Sequence, residues 1–473
     1  MGRFRLVVAA LAAVVVSACS SSTTGSTDPP TPEPTFTAAP GAPSPGAAVA
    51  SPSWPGYHAD NARTGAVPGV ASLSRLGRAW TANLGAAVRG QPVIDDGRIV
   101  AATEGNRVVG LDPASGDVLW SASLGAPLTD IDHVIGCGNI SPLGITSTPV
   151  VDTATHTVYV VGEVSDGGGR VHHQLAGFDV RTGARTLSRE VDPPLPAGES
   201  AVTLLQRASL ALANGRVYIS YGGNSGDCGL YHGWIVGTRI TGAADTVSFE
   251  VARDGAGGAI WEGGGAPAVD PAGNLYLSTG NANPDPPQGG PDPKKYTESV
   301  VKLTPRLQPL ASYKDRVAGG DEDLATGNPV LLPDGEVFSV GKTDIAFVLR
   351  RSDLSLVAAI HGVCGSDPDG GPAYDRSRDV MFVPCRAGGI QVVHVRKHTL
   401  GPRLAGADSA PVLVGSTVWA LDSTRGTLAG YRAADGSVSQ TVRVGAEVPV
   451  FSSPSVGLGL LLVATTSGVT AFR

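Results

Sequence analysis

Charge is scarce in this sequence. Only 16% of its 473 residues are Asp, Glu, Lys or Arg. Lysine is confined to Lys294, Lys295, Lys302, Lys314, Lys342 and Lys397, and arginine supplies the rest of the 35 cations. Aromatic residues make up 5% and methionine occurs twice. The formal net charge of -7 would become -9 if Arg3 and Arg5 left with a leader. That balance gives no electrostatic basis for binding nucleic acid or anionic lipid. Low charge combined with 64 Gly and 36 Pro also excludes long helices and coiled coils. With 42% apolar residues the chain is not disordered overall, because a large core can be buried. CxxC, CxxCH, an adjacent Cys-Cys pair and HExxH do not occur. Covalent haem and a Cys-rich zinc site are therefore not expected, and neither a Ser-His-Asp order nor a phosphate-cradling loop is present.

The N-terminus reads as an export leader. Arg3 and Arg5 precede an apolar run, Leu6 to Val16, which is too short for a spanning helix of about 20 residues. The run ends in Val16-Ser17-Ala18-Cys19, which resembles a bacterial lipobox whose cysteine thiol is acylated. Residues 1–18 are thus expected to be a lipoprotein signal peptide and Cys19 the lipidation site. Residues 19–53 are nearly all Ser, Thr, Pro, Gly and Ala and cannot bury enough to fold, so they read as a tether. The expected location is the outer face of the cytoplasmic membrane or the cell surface. Four cysteines remain. Export permits disulfides, and four cysteines allow three pairings. Cys364–Cys385 would close a short local loop, which leaves Cys137–Cys228 by elimination.

Residues 54–473 repeat. Eight units begin with a small residue, often before Pro, as in Gln91-Pro92-Val93, Thr148-Pro149-Val150, Asn328-Pro329-Val330 and Ser453-Pro454-Ser455; they are spaced 39 to 62 residues apart. Each continues into β-branched and aromatic stretches such as Arg216-Val217-Tyr218 and Thr417-Val418-Trp419, bounded by Gly or Asp turns. Turns such as Gly110-Leu111-Asp112-Pro113-Ala114-Ser115-Gly116 carry hairpin chemistry, with an Asp to accept backbone hydrogen bonds and a Gly free to take positive φ. One such sheet cannot bury both faces; a ring of them can. The expected fold is all-β, an eight-bladed β-propeller of four-stranded antiparallel sheets. The last unit lacks an outer strand, so Arg78 to Leu84 is expected to join it and close the ring, removing an open edge.

These residues resemble the pyrroloquinoline-quinone-like, or quinoprotein-type, β-propeller superfamily. Gly110-x-Asp112-x-x-x-Gly116-x-x-x-Trp120 is similar to its tryptophan-docking motif, with Leu187 and Gln440 in the Trp slot of later units. The disulfides are expected to compensate for that weakened girdle. Stretches Cys137 to Asp152, Cys228 to Trp234 and Gly257 to Asn281 are similar to exported, often actinobacterial, members. In quinoprotein dehydrogenases a Trp stacks on the quinone, Glu, Asn and Asp hold calcium, and a basic residue contacts the quinone oxygens. The resemblance places the site at the channel mouth. Candidate residues there are Arg89, Gln91, Arg207, Trp261, Glu262, Asn328 and Lys342, with no catalytic residue assigned. The vicinal disulfide of the dehydrogenases is missing and the calcium ligands do not align residue by residue.

Three readings follow. The first is a monomeric, membrane-anchored, non-catalytic scaffold without cofactor or metal, binding an envelope protein or glycan. The second is a dehydrogenase of an alcohol or sugar that uses pyrroloquinoline quinone and calcium. The third is a glycan-binding or glycan-cleaving propeller, in which Trp261 and Glu262 grip a sugar. Against it, Trp261-Glu262-Gly263-Gly264-Gly265 also reads as a plain crossing between blades. Cys228 to Trp234 reads as a disulfide-pinned, aromatic-packed loop, and the acidic runs at 321–323 and 367–370 as solvated loops. His172 and His173, adjacent on a strand, face opposite sides and cannot share a metal.

Overall fold

Short strands bounded by turns fold here into eight small antiparallel sheets. The computed structural model describes residues 53–67, 72–73, 75–167, 170–282, 295–316, 321–386 and 388–473. The expected signal peptide, Cys19 and all of the tether but Ser53 lie outside them. Blade one comprises Val93–Asp95, Arg98–Ala102, Arg107–Leu111 and Val118–Ser123, from the axis outward. Six further blades repeat this order, with innermost strands Val150–Asp152, Ala211–Ala213, Ala268–Val269, Val330–Leu331, Ala373–Asp375 and Val412–Val414. Blade eight takes Ser455–Gly457, Leu460–Thr465 and Gly468–Phe472 from the C-terminus and its outer strand, Arg78–Asn83, from the N-terminal side. Pairing of Trp80 with Ala471 and Thr81 with Thr470 closes the ring as expected.

Burial explains the strand patterns. Second strands lie between neighbouring blades and are covered on both faces, so Thr417–Asp422 and Val380–Cys385 are buried throughout. Outer strands such as Val118–Ser123 and Arg185–Glu190 alternate with solvent. Hydrophobic clusters accordingly form between blades, for example Val93, Val100 and Val108 against Val151, Val158 and Phe178.

Two tryptophans dock blade onto blade. Trp120 donates Nε1–H to Val180 O at 2.9 Å and lies over Gly183. Trp80 does the same to Pro113 O at 3.0 Å and lies over Gly116, where a Cβ would sit 2.5 Å from the ring. The second docking escapes the sequence motif because its strand and its blade come from opposite ends of the chain. Gln440, in the third such slot, instead clasps both backbone groups of Leu76, at 2.8 and 2.7 Å. Both expected disulfides are present, Cys137–Cys228 and Cys364–Cys385.

The axis is filled by the chain itself. Innermost strands leave an unpaired edge toward the centre, and unpaired buried amides are costly. Residues 54–65 satisfy that edge blade after blade. The N–H groups of Ile94, Val151, Val269, Leu331, Tyr374 and Leu413 donate to the carbonyls of Trp54, Pro55, Asn61, Ala62, Thr64 and Gly65. This arm buries Trp54, Tyr57, His58 and Arg63 to 2% exposure or less. The Arg63 guanidinium donates to Pro267 O, Tyr57 O and Asp60 O at 3.0–3.1 Å.

Candidate functional site

Strand direction fixes where site residues sit. All innermost strands start at one face, the front, which also carries the turns between second and third strands and the crossings from blade to blade. The seven candidate residues all fall on front-face segments, yet they separate into an axial group and a group displaced toward blades four and five.

Gln91 belongs to the axis and is 2% exposed. Its Nε2 donates to Ser453 Oγ at 3.0 Å and Pro454 O at 2.6 Å, while its Oε1 accepts His58 N–H at 2.9 Å and Trp54 Nε1–H at 3.4 Å. It clasps blade one, blade eight and the arm. Asn328 is fully buried and donates Nδ2–H to Pro329 O at 3.0 Å. Its Oδ1 occupies the space that a Cβ on Gly265 or Gly371 would need.

Glu262 is fully buried. Its Oε1 accepts Ser278 N–H at 3.1 Å and its Oε2 has no hydrogen-bond partner. Burial pushes its carboxyl up to about 8, against the pull of the Ser278 N–H and of Arg63. The glycines after it serve packing. A Cβ on Gly263 would meet Thr326 O at 2.1 Å and the Gly370 backbone, and its φ of 56° suits glycine. The crossing reading of this segment accounts for these contacts. Trp261 is half-buried, packs on Gly222 and donates Nε1–H to Gly223 O at 2.9 Å.

Charged groups ring the front end of the axis. Arg89 Nε lies 3.0 Å from Glu104 Oε1, and Glu104 Oε2 accepts Gly144 N–H and Thr146 Oγ1–H. Burial raises the Glu104 carboxyl. Arg386 pairs with Asp367 and Asp369, each at 3.1 Å. Burial pushes Asp369 up to about 6 despite Arg386. Arg207 reaches across the axis toward Thr146 O and Val450 O.

The displaced group is built on Asp323, 2% exposed. Its Oδ1 accepts Asn281 N–H at 2.8 Å and its Oδ2 lies 3.0 Å from Lys342 Nζ, which also holds Asp321 at 2.6 Å. Burial raises Asp323 to about 6, with Lys342 opposing. The acidic runs are therefore not simply solvated: Asp323 and Asp369 are buried and ion-paired because each run delivers one carboxylate to a cation of the front face.

Two buried histidine pairs escape the sequence reading. His173 Nδ1 lies 2.7 Å from Asp192 Oδ1, and its Nε2 lies 3.9 Å from Glu163 Oε2. Neither Glu163 oxygen has a hydrogen-bond partner, and burial, reinforced by Glu104, pushes that carboxyl well up. His232, in the disulfide-pinned loop, bonds Glu199 through Nδ1 and leaves Nε2 without a partner. No short motif connects these residues along the chain, and only the blade geometry brings them together.

A family model described as outer membrane protein assembly factor BamB matches residues 69–281. Quinohemoprotein alcohol dehydrogenase from Comamonas testosteroni superposes with a TM-score of 0.69 at 15% identity, covering 89% of this chain and 80% of that one. The chain has the fold of the quinoprotein-type β-propellers. Other propellers of this shape include a europium-containing methanol dehydrogenase, with a TM-score of 0.67, 14% identity and coverage of 89% and 91%. BamB from Moraxella catarrhalis gives 0.55, 14% identity and coverage of 84% and 97%. No curated protein sequence matches this propeller. At such identities the structures establish the shared fold and nothing about chemistry.

The donor set can be tested against a calcium-held quinone. An indole, Trp261, and an ammonium, Lys342, are at hand for an aromatic, oxygen-rich plate. The calcium half is not assembled. Among the described residues no group of three His, Cys, Asp or Glu stands close enough to hold a metal ion, and both Asp323 oxygens are engaged by Asn281 and Lys342. The residues present do not fit the complete cofactor pair.

Proposed function

We propose that this protein is a lipid-anchored, extracytoplasmic binding or assembly scaffold, tethered through acylated Cys19 and presenting the front of a rigid propeller to an envelope protein or glycan. The observation that carries the reading is the filled axis. Residues 54–65 occupy the place where a ligand would enter the ring, and Gln91 and Arg63 hold that plug rather than a substrate. A disc locked in this way contributes shape and surface. The fold shared with BamB supports the reading.

The anchor is tested by palmitate labelling, expected in the wild type and lost in Cys19→Ser, which should be released from the membrane fraction. The scaffold reading is tested by incubating the purified chain with pyrroloquinoline quinone and Ca²⁺ and following quinone binding and dye reduction. The expected result is neither at micromolar quinone; turnover of an alcohol or sugar overturns it. The second reading, a quinoprotein dehydrogenase, is favoured by one observation: the half-buried Trp261 lies in the same front-face region as Asn281, Asp323 and Lys342. In that case Trp261→Ala should abolish both binding and turnover.

A further inference from the structure

One cation at the front of the axis makes no ion pair of its own among the described residues. Arg207 is 7% exposed. Its Nη1 and Nη2 reach only the carbonyls of Thr146 and Val450, at 3.4 and 3.3 Å, the long limit for such bonds. A guanidinium has more donors than two carbonyls use. The nearby carboxylates are engaged elsewhere, Glu104 by Arg89 and Asp369 by Arg386. Burial, aided by repulsion from Arg89 and opposed by Glu104 and Asp369, brings Arg207 down to about 10. A buried charge without a counter-charge is costly, and such groups are normally paired.

Its surroundings are shaped as well as charged. Two guanidiniums approach the Phe451 ring, its centroid 5.7 Å from Arg207 Cζ and 5.2 Å from Arg386 Cζ. Phe451 is held at φ 62°, a left-handed conformation that costs a bulky residue free energy. Val450 beside it is 47% exposed. Apolar side chains and a guanidinium without an ion pair thus lie side by side on the front face.

We propose that Arg207 is the floor of an anion site on the front face whose ligand presents a carboxylate carried on an apolar body. This deepens the scaffold reading and rests on the front being the binding face. One planar carboxylate matches one guanidinium fork. A dianionic phosphate would meet stronger repulsion than a monoanionic carboxylate from Glu104 and Asp369, both near Arg207, and is disfavoured. The apolar body lies along Phe451 and Val450. The carboxylate belongs to a small organic acid or to the C-terminus of a polypeptide.

The mature chain is titrated calorimetrically with benzoate, with the N-acetylated dipeptide Ala-Phe as free acid and as amide, and with inorganic phosphate. Saturable binding of benzoate or the free acid is expected, with the amide and phosphate inert. Preference for benzoate indicates a small acid, and preference for the dipeptide a chain end. Arg207→Gln should weaken binding roughly tenfold or more. Should that variant not fold, Val450→Asp adds repulsion at the exposed rim and should weaken binding several-fold in a folded ring. Absence of binding by both acids to about 10 mM, or unchanged affinity in either folded variant, overturns the proposal. Quinone turnover, by contrast, would sink the scaffold reading and leave this titration standing.

Discussion

Replacing Gln91 with leucine removes an amide of similar volume and leaves its four partners behind. Two of them have weak claims: the Trp54 contact is long at 3.4 Å, and Ser453 Oγ keeps His58 Nε2 at 3.3 Å. The other two are severe losses, because His58 N–H at 2.9 Å and Pro454 O at 2.6 Å are buried against the arm. Each buried group left unsatisfied costs about 1–3 kcal/mol, so the substitution should destabilise by roughly 2–6 kcal/mol. Thermal melting of the exported chain should show a fall of roughly 2–7 °C, given the melting entropy of a ring of this length. Exchange of the Ile94 and Trp54 amides should accelerate before that of the outer strands, because the clasp joins arm, blade one and blade eight. A loss below about 1 kcal/mol would refute the clasp. Gln91 would then face a ligand rather than the fold, and the filled axis would lose its argument.

The remaining expectations concern other links in the ring. Glu262, held near 8 against an ordinary 4.5, contributes stability that is present below about pH 4.5 and is lost as pH rises to about 8. Glu262→Gln should flatten that slope, the difference between the two proteins reaching a few kcal/mol in urea titrations at pH 5 and pH 9, on the order expected for such a shift; parallel slopes would show that the carboxyl is ordinary. Trp80→Ala should cost about 3–5 kcal/mol because the side chain is buried where the ring closes. Trp120→Ala, on a half-exposed ring, should cost less, and an equal loss in melting experiments would contradict the closure argument. Removing Cys137–Cys228, whose cysteines are 91 residues apart, should destabilise by about 1 kcal/mol more than removing Cys364–Cys385, which are 21 apart, if loop entropy governs. Melts of the two double Cys→Ser variants decide it, the reverse order counting against the entropic account.

Strand periodicity and turn chemistry carried the fold because both are local. The starts at Pro92, Pro149, Pro329 and Pro454 mark innermost strands, and the unpaired Arg78–Asn83 segment pairs with Gly468–Phe472. The arm was not legible in the same way. Trp54-Pro55-Gly56-Tyr57-His58 is an aromatic cluster directly after a tether without aromatics past Phe36, a signal that something begins to be buried there. Its partners are single amides on six blades, and no pattern along the chain announces them. Ion pairing was hidden for a related reason. The run at 367–370 looks hydrated until Arg386, on the following turn, is folded against Asp369. Gln91 has the composition of a ligand residue, and a polar side chain on an axis serves the fold equally well once a segment of backbone must be held there.

Why the front face rather than the channel should carry recognition follows from where the chain is long. On the back, the turns linking innermost to second strands span two to five residues, as at 96–97, 214–215 and 270–274. Turns that short fix strand register and expose little. On the front, the crossing from blade one to blade two runs over 124–149 and the next over 191–210, whereas the crossing into blade seven needs only 405–411. Seven residues therefore suffice to pass between blades of this size. The surplus in the first crossings is not required by the ring, and long ordered loops on a rigid frame are where binding groups are commonly placed. The Cys137–Cys228 bridge then ties the first crossing to a loop of blade three, spanning the blade between them. Ordering such loops costs conformational entropy, about 1–2 kcal/mol per residue for the backbone. The ring closes without them, which supports the proposed binding role of that face, and Arg207 lies on the same side.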